Sequence, residues 1–270
     1  MYGICKLTLI PLRAEPAHRS EMVSQLLFGE SYKVLDNDSA AGWIKIESLQ
    51  DNYQGWIEKF QHTPLTDSQF EEITANSNFI CVMPFADASE EEGFTAPIVF
   101  VMGSLLPVYE DRIYAKYFKI DNIFRINLPF AQTVVKDKNE KTSFEDLKRF
   151  AFQYLNTPYL WGGRTRFGID CSGFTQQVYT ICGYPLRRDS KQQAEQGIPV
   201  NFENRKPGDL AFFQNLEGKI MHVGILLEND EIIHASSKVR IDKFDQNGIF
   251  AYDRQAYSHT FHSIRRVIES

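Results

Sequence analysis

Cys171 stands in the stretch FGIDCSGF, residues 167–174, between an acid and a Ser-Gly pair. A thiol does chemistry only where its anion is favoured and a base is at hand. Downstream, Phe174, Val178 and Ile181 recur at helical spacing, and Gly183 followed by Pro185 supplies a stop. The spacing predicts a helix running from Cys171 to Cys182, with Asp170 at its cap. A cysteine in the first turn meets unsatisfied N–H groups and the positive end of the helix dipole, and both favour thiolate over thiol. Cys182 lies at the opposite end, where the dipole opposes a thiolate, and serves as an internal control.

A nucleophile needs a base. Of the six histidines, His18 and His62 fall in the N-terminal part, and His259 and His262 lie near the C-terminus. That leaves His222 and His234, in PGDLAFFQNLEGKIMHVGILLENDEIIHASS. GDLAFF, HVGILLE and EIIHAS read as three strands, with a turn around Asn229-Asp230. A helix followed by antiparallel strands carrying histidine is the chain order of a papain-like core, where a cysteine at a helix start faces an imidazole on the sheet. His222 heads its strand and is the expected base; His234 is the expected orienting group. A plain hairpin centred on Asp230 offsets the two by about four positions, on the order of 13 Å along the strand. A twist, a bulge or a different turn must close that gap. The chain offers no HExxH, and its four cysteines form no CxxC pair, so no metal or other cofactor is expected. Cys5, Cys81 and Cys182 read as reduced, buried small hydrophobes.

The elements that must position these residues begin at SFEDLKRFAFQYLNTP. Ser143 with Asp146 three residues on is a capping signal, Phe144, Leu147, Phe150, Ala151, Tyr154 and Leu155 fall at helical spacing, and Pro158 is the expected stop. An α+β domain is expected over 143–270, after a charged linker, KDKNEKT, at 136–142. Residues 1–62 read as short strands broken by Gly, Asn and Asp, the pattern of a small barrel. The polar stretch TPLTDSQFEE then leads to further short strands, FICVMP, PIVFVMGSLLPVY and KYFKIDNIFRIN, expected to form a second barrel within 63–135. The 13% aromatic content suits small β domains. A net charge of −6 argues against nucleic acid or an acidic membrane surface as partner. No apolar run nears the roughly 18 residues of a membrane span. The start, MYGICKLTLIPLRAEP, shows neither a basic leader nor a cleavage site, so a soluble, cytoplasmic protein is expected.

TPYLWGGRTRFGIDCSGF, PGDLAFF and HVGILLENDEIIHASS resemble the NlpC-type cysteine peptidases of bacterial cell-wall metabolism over essentially all of 143–270. LIPLRAEPAHRSEMVSQLLFGESYKVL with the two GW motifs resembles the bacterial SH3-like domain that accompanies such enzymes. The implied fold is two small all-β SH3-like barrels followed by an α+β papain-like catalytic domain. The implied catalytic set is Cys171, His222 and His234. The combination resembles the γ-D-glutamyl-L-diamino acid endopeptidases (dipeptidyl-peptidase VI), which implies small murein peptides, L-Ala-γ-D-Glu-diamino acid, as substrates. It also implies a site for the alanine ammonium, mapped by position onto Asp170, Ser172 and Tyr159 and, from the first barrel, Glu21 and Tyr53. An extracellular hydrolase of intact peptidoglycan and a non-catalytic peptidoglycan-binding protein are the competing readings.

Overall fold

The computed structural model describes residues 1–37, 41–76, 79–90, 98–106, 108–112, 115–119, 123–126 and 135–268. The chain divides into two compact units, Met1–Glu140 and Lys141–Ser270, and the division falls inside the charged run 136–142. No helix among the described residues is long and apolar enough to cross a membrane.

In the first unit, β1 (Tyr2–Ile4), β2 (Leu9–Arg13), β3 (Met22–Leu27), β4 (Ser31–Asp36), β5 (Trp43–Ser48), β6 (Gln54–Glu58) and β7 (Thr63–Leu65) form one sheet, ordered β3-β2-β6-β5-β4-β1-β7. Alternation drives it: Ile44 and Ile46 of β5, Ile10 and Leu12 of β2, and Ile57 of β6 point into a common core with Leu26 and Tyr32. The stretch expected only to join two barrels has structure of its own. Thr63–Leu65 pairs with β1 as a seventh strand, carrying the first sheet past residue 62. Helix α1 (Asp67–Asn76) follows, started by a reciprocal cap in which Thr66 Oγ1 accepts from the Gln69 N–H at 3.2 Å while Gln69 Oε1 accepts from the Thr66 N–H at 3.0 Å.

Beyond it β8 (Phe79–Cys81), β9 (Phe85–Glu90), β10 (Ile98–Val101), β11 (Leu105–Leu106), β12 (Val108–Arg112), β13 (Ala115–Lys119), β14 (Ile123–Ile126) and β15 (Val135–Asp137) form a five-stranded sheet, β10-β9-β14-β13-β12, and a three-stranded one, β11-β8-β15. Ile4, Phe28 and Leu65 share a buried cluster with Ile73, Cys81, Phe100 and Leu106, so both sides of the expected boundary at 62 share a core. Part of the expected second barrel, 91–97 and 127–134, lies outside the described residues.

The second unit opens with α2 (Phe144–Gln153), whose N-cap Ser143 accepts from the Asp146 N–H. The helix ends before Pro158: Asn156 takes a left-handed φ of 65°, and the chain has turned by then. After the short ribbon β16 (Arg164–Thr165) and β17 (Gly168–Ile169) comes α3 (Cys171–Ile181), then α4 (Ser190–Gln193). The strands are β18 (Ile198–Val200), β19 (Leu210–Gln214), β20 (Ile220–Leu226), β21 (Glu231–Ser236), β22 (Lys238–Asp245), β23 (Gly248–Ala251) and β24 (Ala256–Arg266). Their order is β18-β24-β19-β20-β21-β22-β23, and β23 also pairs with β24, which closes six of them into a barrel. Ala211, Phe213, Leu226, Ile232, Phe244, Ile249 and Ile264 fill its interior.

Candidate active site

Cys171 is the first residue of α3, as its sequence context predicts, and Asp170 is the cap. Asp170 Oδ1 accepts from the Gly173 N–H at 2.7 Å. Gly173 lets the helix start lie against the WGG turn, because a Cβ there would collide with the Gly163 carbonyl. The Cys171 sulfur accepts from the backbone N–H of Val223, the residue after His222, and from that of Ser172. The thiol is nonetheless no preformed anion. Burial pushes it up to about 12 and the Asp170 charge acts in the same direction, against the helix-start effect that predicted a thiolate. It therefore has to surrender its proton to a base during reaction.

Residues opposite each other on antiparallel strands share a face. Phe213 lies opposite His222, Gly224 opposite His234, Ile232 opposite Asp242, and Ile249 opposite His259. Phe213, Ile232 and Ile249 belong to the barrel core, so His222, His234, Asp242 and His259 all face inward. The hairpin between β20 and β21 turns at Asn229 and Asp230, both at positive φ (58° and 56°), and sets Gly224 rather than Leu226 against His234. The offset between the histidines is two positions, half that of a hairpin centred on Asp230. Gly224 clears the remaining space: a Cβ there would stand 2.9 Å from His234 Cβ.

The rings meet as a relay. His222 Nε2 and His234 Nδ1 are 2.8 Å apart, and His234 Nε2 is 3.1 Å from Asp242 Oδ2. Burial raises the Asp242 carboxyl, but hydrogen bonds from His234, the Tyr252 N–H and Arg240 hold it below its ordinary value, so it is an anion and accepts only. His234 must then donate through Nε2. Burial keeps it neutral, leaving Nδ1 to accept from His222 Nε2–H. His222 is left with a free lone pair on Nδ1. Burial first, then His259 and His234, hold His222 well below the ordinary imidazole value, so that lone pair is available at neutral pH. A thiol near the Val223 N–H and a tautomerically fixed base at the preceding residue are the equipment for nucleophilic acyl transfer.

His222, His234 and His259 bring one ligand atom each within 4.8 Å of one another. The His222 and His259 rings stack with centroids 4.1 Å apart and planes 24° apart. Their in-plane lone pairs run side by side instead of converging, and His222 Nε2 and His234 Nδ1 already share a proton, so this geometry does not suit a tetrahedral metal.

Residues 156–258 match the model of the NlpC/P60 family, and residues 12–60 that of the bacterial dipeptidyl-peptidase SH3 domain. The γ-D-glutamyl-L-lysine dipeptidyl-peptidase of Bacillus subtilis (strain 168) is 30% identical over 221 residues, 78% of this chain and 71% of the relative. The chain belongs to the NlpC/P60 family. A relative from Lysinibacillus sphaericus, dipeptidyl-peptidase 6, is 24% identical over 87% of this chain and 89% of its own. A solved NlpC/P60 structure from Bacillus cereus ATCC 10987 covers all of both chains with a TM-score of 0.85 at 18% identity, which shows the shared fold. An SH3-like N-terminal domain followed by an NlpC/P60 catalytic domain is thus the architecture of this chain.

Within the NlpC/P60 domain the structure brings His222 onto His234, starts α3 at Cys171 and caps it with Asp170. The Asp170 carboxylate is also held from within the fold. Arg188 forks onto it, Nη2 to Oδ2 at 2.6 Å and Nη1 to Oδ1 at 3.0 Å, and the Gly162 N–H donates to Oδ2 at 2.8 Å. With Gly173 and the Ser172 hydroxyl, five donors occupy two oxygens. Ser172 is drawn into the same network, its Oγ accepting from Arg188 Nη1 at 2.9 Å. Tyr159 is half-buried. Its phenol is raised by burial and then by Cys171 and Asp170, so it stays protonated as a donor in the field of the thiol. Glu21 and Tyr53 belong to the first unit: Glu21 is exposed just before β3, and Tyr53 packs on the β-core between β5 and β6. Sequence reasoning missed Asp242, Arg188 and His259. Alternation along VRIDKFD and the tight turn at Ser237 could have found Asp242; the other two depend on loop path and on the long-range pairing of β24 with β19.

Proposed function

We propose that the chain is a cysteine peptidase that hydrolyses the γ-D-glutamyl–diamino acid amide of peptidoglycan stem peptides bearing a free N-terminal L-alanine. It releases L-Ala-γ-D-Glu and serves murein peptide recycling in the cytoplasm, with small peptides as its partners and no metal. The observation that carries this reading is the Asp242–His234–His222 relay, which ends in a free imidazole nitrogen one residue from the backbone group that holds the Cys171 sulfur. The names of the relatives from B. subtilis and L. sphaericus support the substrate class.

His222 Nδ1 takes the thiol proton as Sγ attacks the γ-carbonyl carbon and the carbonyl electron pair moves onto oxygen. The Cys171 N–H at the helix start, with the Tyr159 hydroxyl, stabilises that oxyanion. The imidazolium returns its proton to the leaving amine as the C–N bond breaks. Water, deprotonated by His222, then cleaves the thioester and restores the thiol.

The test compares L-Ala-γ-D-Glu-L-Lys with its N-acetylated form on the full chain, products being read by mass spectrometry. Acetylation removes the ammonium charge and is expected to cost roughly two to four powers of ten in kcat/KM. Glu21→Gln, at a position the family resemblance assigns to the alanine site, is expected to narrow that difference. Cys171→Ala abolishes turnover, while Cys182→Ala retains most of it. Equal hydrolysis of both peptides would refute the free-amine requirement and favour a hydrolase of intact wall.

A further inference from the structure

His259 has no part in the relay, yet its ring centre lies nearer the base, at 4.1 Å, than that of His234 at 5.0 Å. The pairing of β24 with β19, itself paired with β20, brings it from near the C-terminus onto the inner face beside His222. The two rings stack at 4.1 Å, His234 meets His259 edge-on at 5.7 Å and 85°, and Phe213 stands 6.0 Å away. His259 is itself anchored. The Ser258 hydroxyl donates to the Ile249 carbonyl at 3.3 Å, which leaves its oxygen to accept from His259 Nδ1–H at 2.8 Å. A histidine held by one hydrogen bond at one nitrogen can still tilt about that bond, since rotation about its Cβ–Cγ bond is soft. A flat, anchored ring on its face removes that freedom.

We propose that His259 is a positioning residue, an uncharged aromatic plate that fixes the plane of the His222 ring so that Nε2 stays on His234 and Nδ1 stays turned toward the thiol. The inference rests on the assignment of Cys171 and His222 as nucleophile and base. The groups around the plate fit it. Burial lowers His259 to about 4, His234 of β21 and Arg254 of the turn before β24 act in the same direction, and Asp242 of β22 opposes them. The plate is therefore neutral through the working range. It presents a π face to the imidazolium that forms on His222 during turnover, where a charged ring would repel it. The titratable groups that bear on His222 itself are His259 and His234.

The test uses the full chain with His259→Phe, which keeps a flat ring without a proton site, and His259→Ala, which removes the plate. Turnover of L-Ala-γ-D-Glu-L-Lys and the pH dependence of Cys171 alkylation by iodoacetamide are both measured. His259→Ala is expected to lower kcat on the order of 10- to 100-fold with KM within about twofold, because small misplacements of a catalytic group cost rate and not binding. His259→Phe is expected to stay within about threefold of wild type. In both variants the acid limb of the alkylation profile should move to higher pH, because His259 gains a proton only near pH 4 and there opposes protonation of His222, an opposition both substitutions remove. Phe as slow as Ala, or Ala as fast as wild type, would overturn the proposal. So would a slow Ala variant with a reduced melting temperature and an unmoved acid limb, which marks a purely structural residue. Failure of the underlying assignment shows separately, as His222→Ala retaining wild-type turnover and alkylation, and would remove the proposal's footing.

Discussion

Replacing Asp242 by Asn changes one atom and reverses the direction of the relay. Asp242 Oδ2 accepts from His234 Nε2 at 3.1 Å and from Arg240 Nε at 2.7 Å, while Oδ1 accepts from Arg240 Nη2 at 2.9 Å and the Tyr252 N–H at 3.0 Å. An asparagine must set its NH2 in one of these two places. At the Oδ1 position it would face two donors that cannot become acceptors. At the Oδ2 position it faces only one, since His234 can shift its proton from Nε2 to Nδ1 and accept. The second orientation is favoured, and it forces His222 to accept at Nε2 and carry its own proton on Nδ1, where the base should be. A wrong-tautomer imidazole costs about 10²- to 10⁴-fold in kcat, roughly 3–5 kcal/mol of transition-state stabilisation. Steady-state kinetics on L-Ala-γ-D-Glu-L-Lys reads the loss, with KM little changed and circular dichroism checking the fold. A kcat within threefold of wild type would refute the relay as drawn.

Gly224→Ala is expected to lower kcat about tenfold or more, because its Cβ would stand 2.8 Å from Ile232 Cδ1 and 2.9 Å from His234 Cβ and push the rings apart. Arg188→Met leaves the buried Asp170 charge unmatched and should cost about 3–5 kcal/mol, seen as a lower urea midpoint; adding Asp170→Asn should recover part of it. His222, His234 and His259 all have folded-state pKa values below the ordinary histidine value, so the unfolded chain binds more protons under acid conditions. Their contribution to stability is present above about pH 6.5 and is lost as pH falls below it, which thermal melts from pH 8 to 5 will register. Excess chelator with a reducing agent should leave full activity, and inactivation reversed by zinc would contradict a metal-free mechanism.

Much of this site can be read in the sequence because it is local. Asp170-Cys171 at a helix start follows from apolar spacing downstream and Gly183, and the strands that carry His222 and His234 follow from their β-branched runs. The ionisation of Cys171 was misjudged because the dipole argument is local, whereas burial is a property of the assembled unit. Nothing near Asp170 in sequence foretells Arg188, which reaches it from an irregular segment 18 residues away. His259 is hidden for a further reason. Its place beside His222 exists only once β24 pairs with β19, itself paired with β20, a contact that no window along the chain contains.

The turn at Asn229 and Asp230 carries a consequence of its own. Surface turns are where proteins usually tolerate gained and lost residues. Here the turn counts residues for the chemistry. One residue more or fewer would turn every side chain of β21 to the opposite face, sending His234 out of the barrel and Ile233 or Ala235, respectively, into its place. Two residues would restore the face but slide His234 along its neighbour by one step of the ladder, out of reach of His222. The length of this exposed turn is therefore fixed as firmly as the identity of a catalytic residue, and loop grafting into this domain should begin elsewhere.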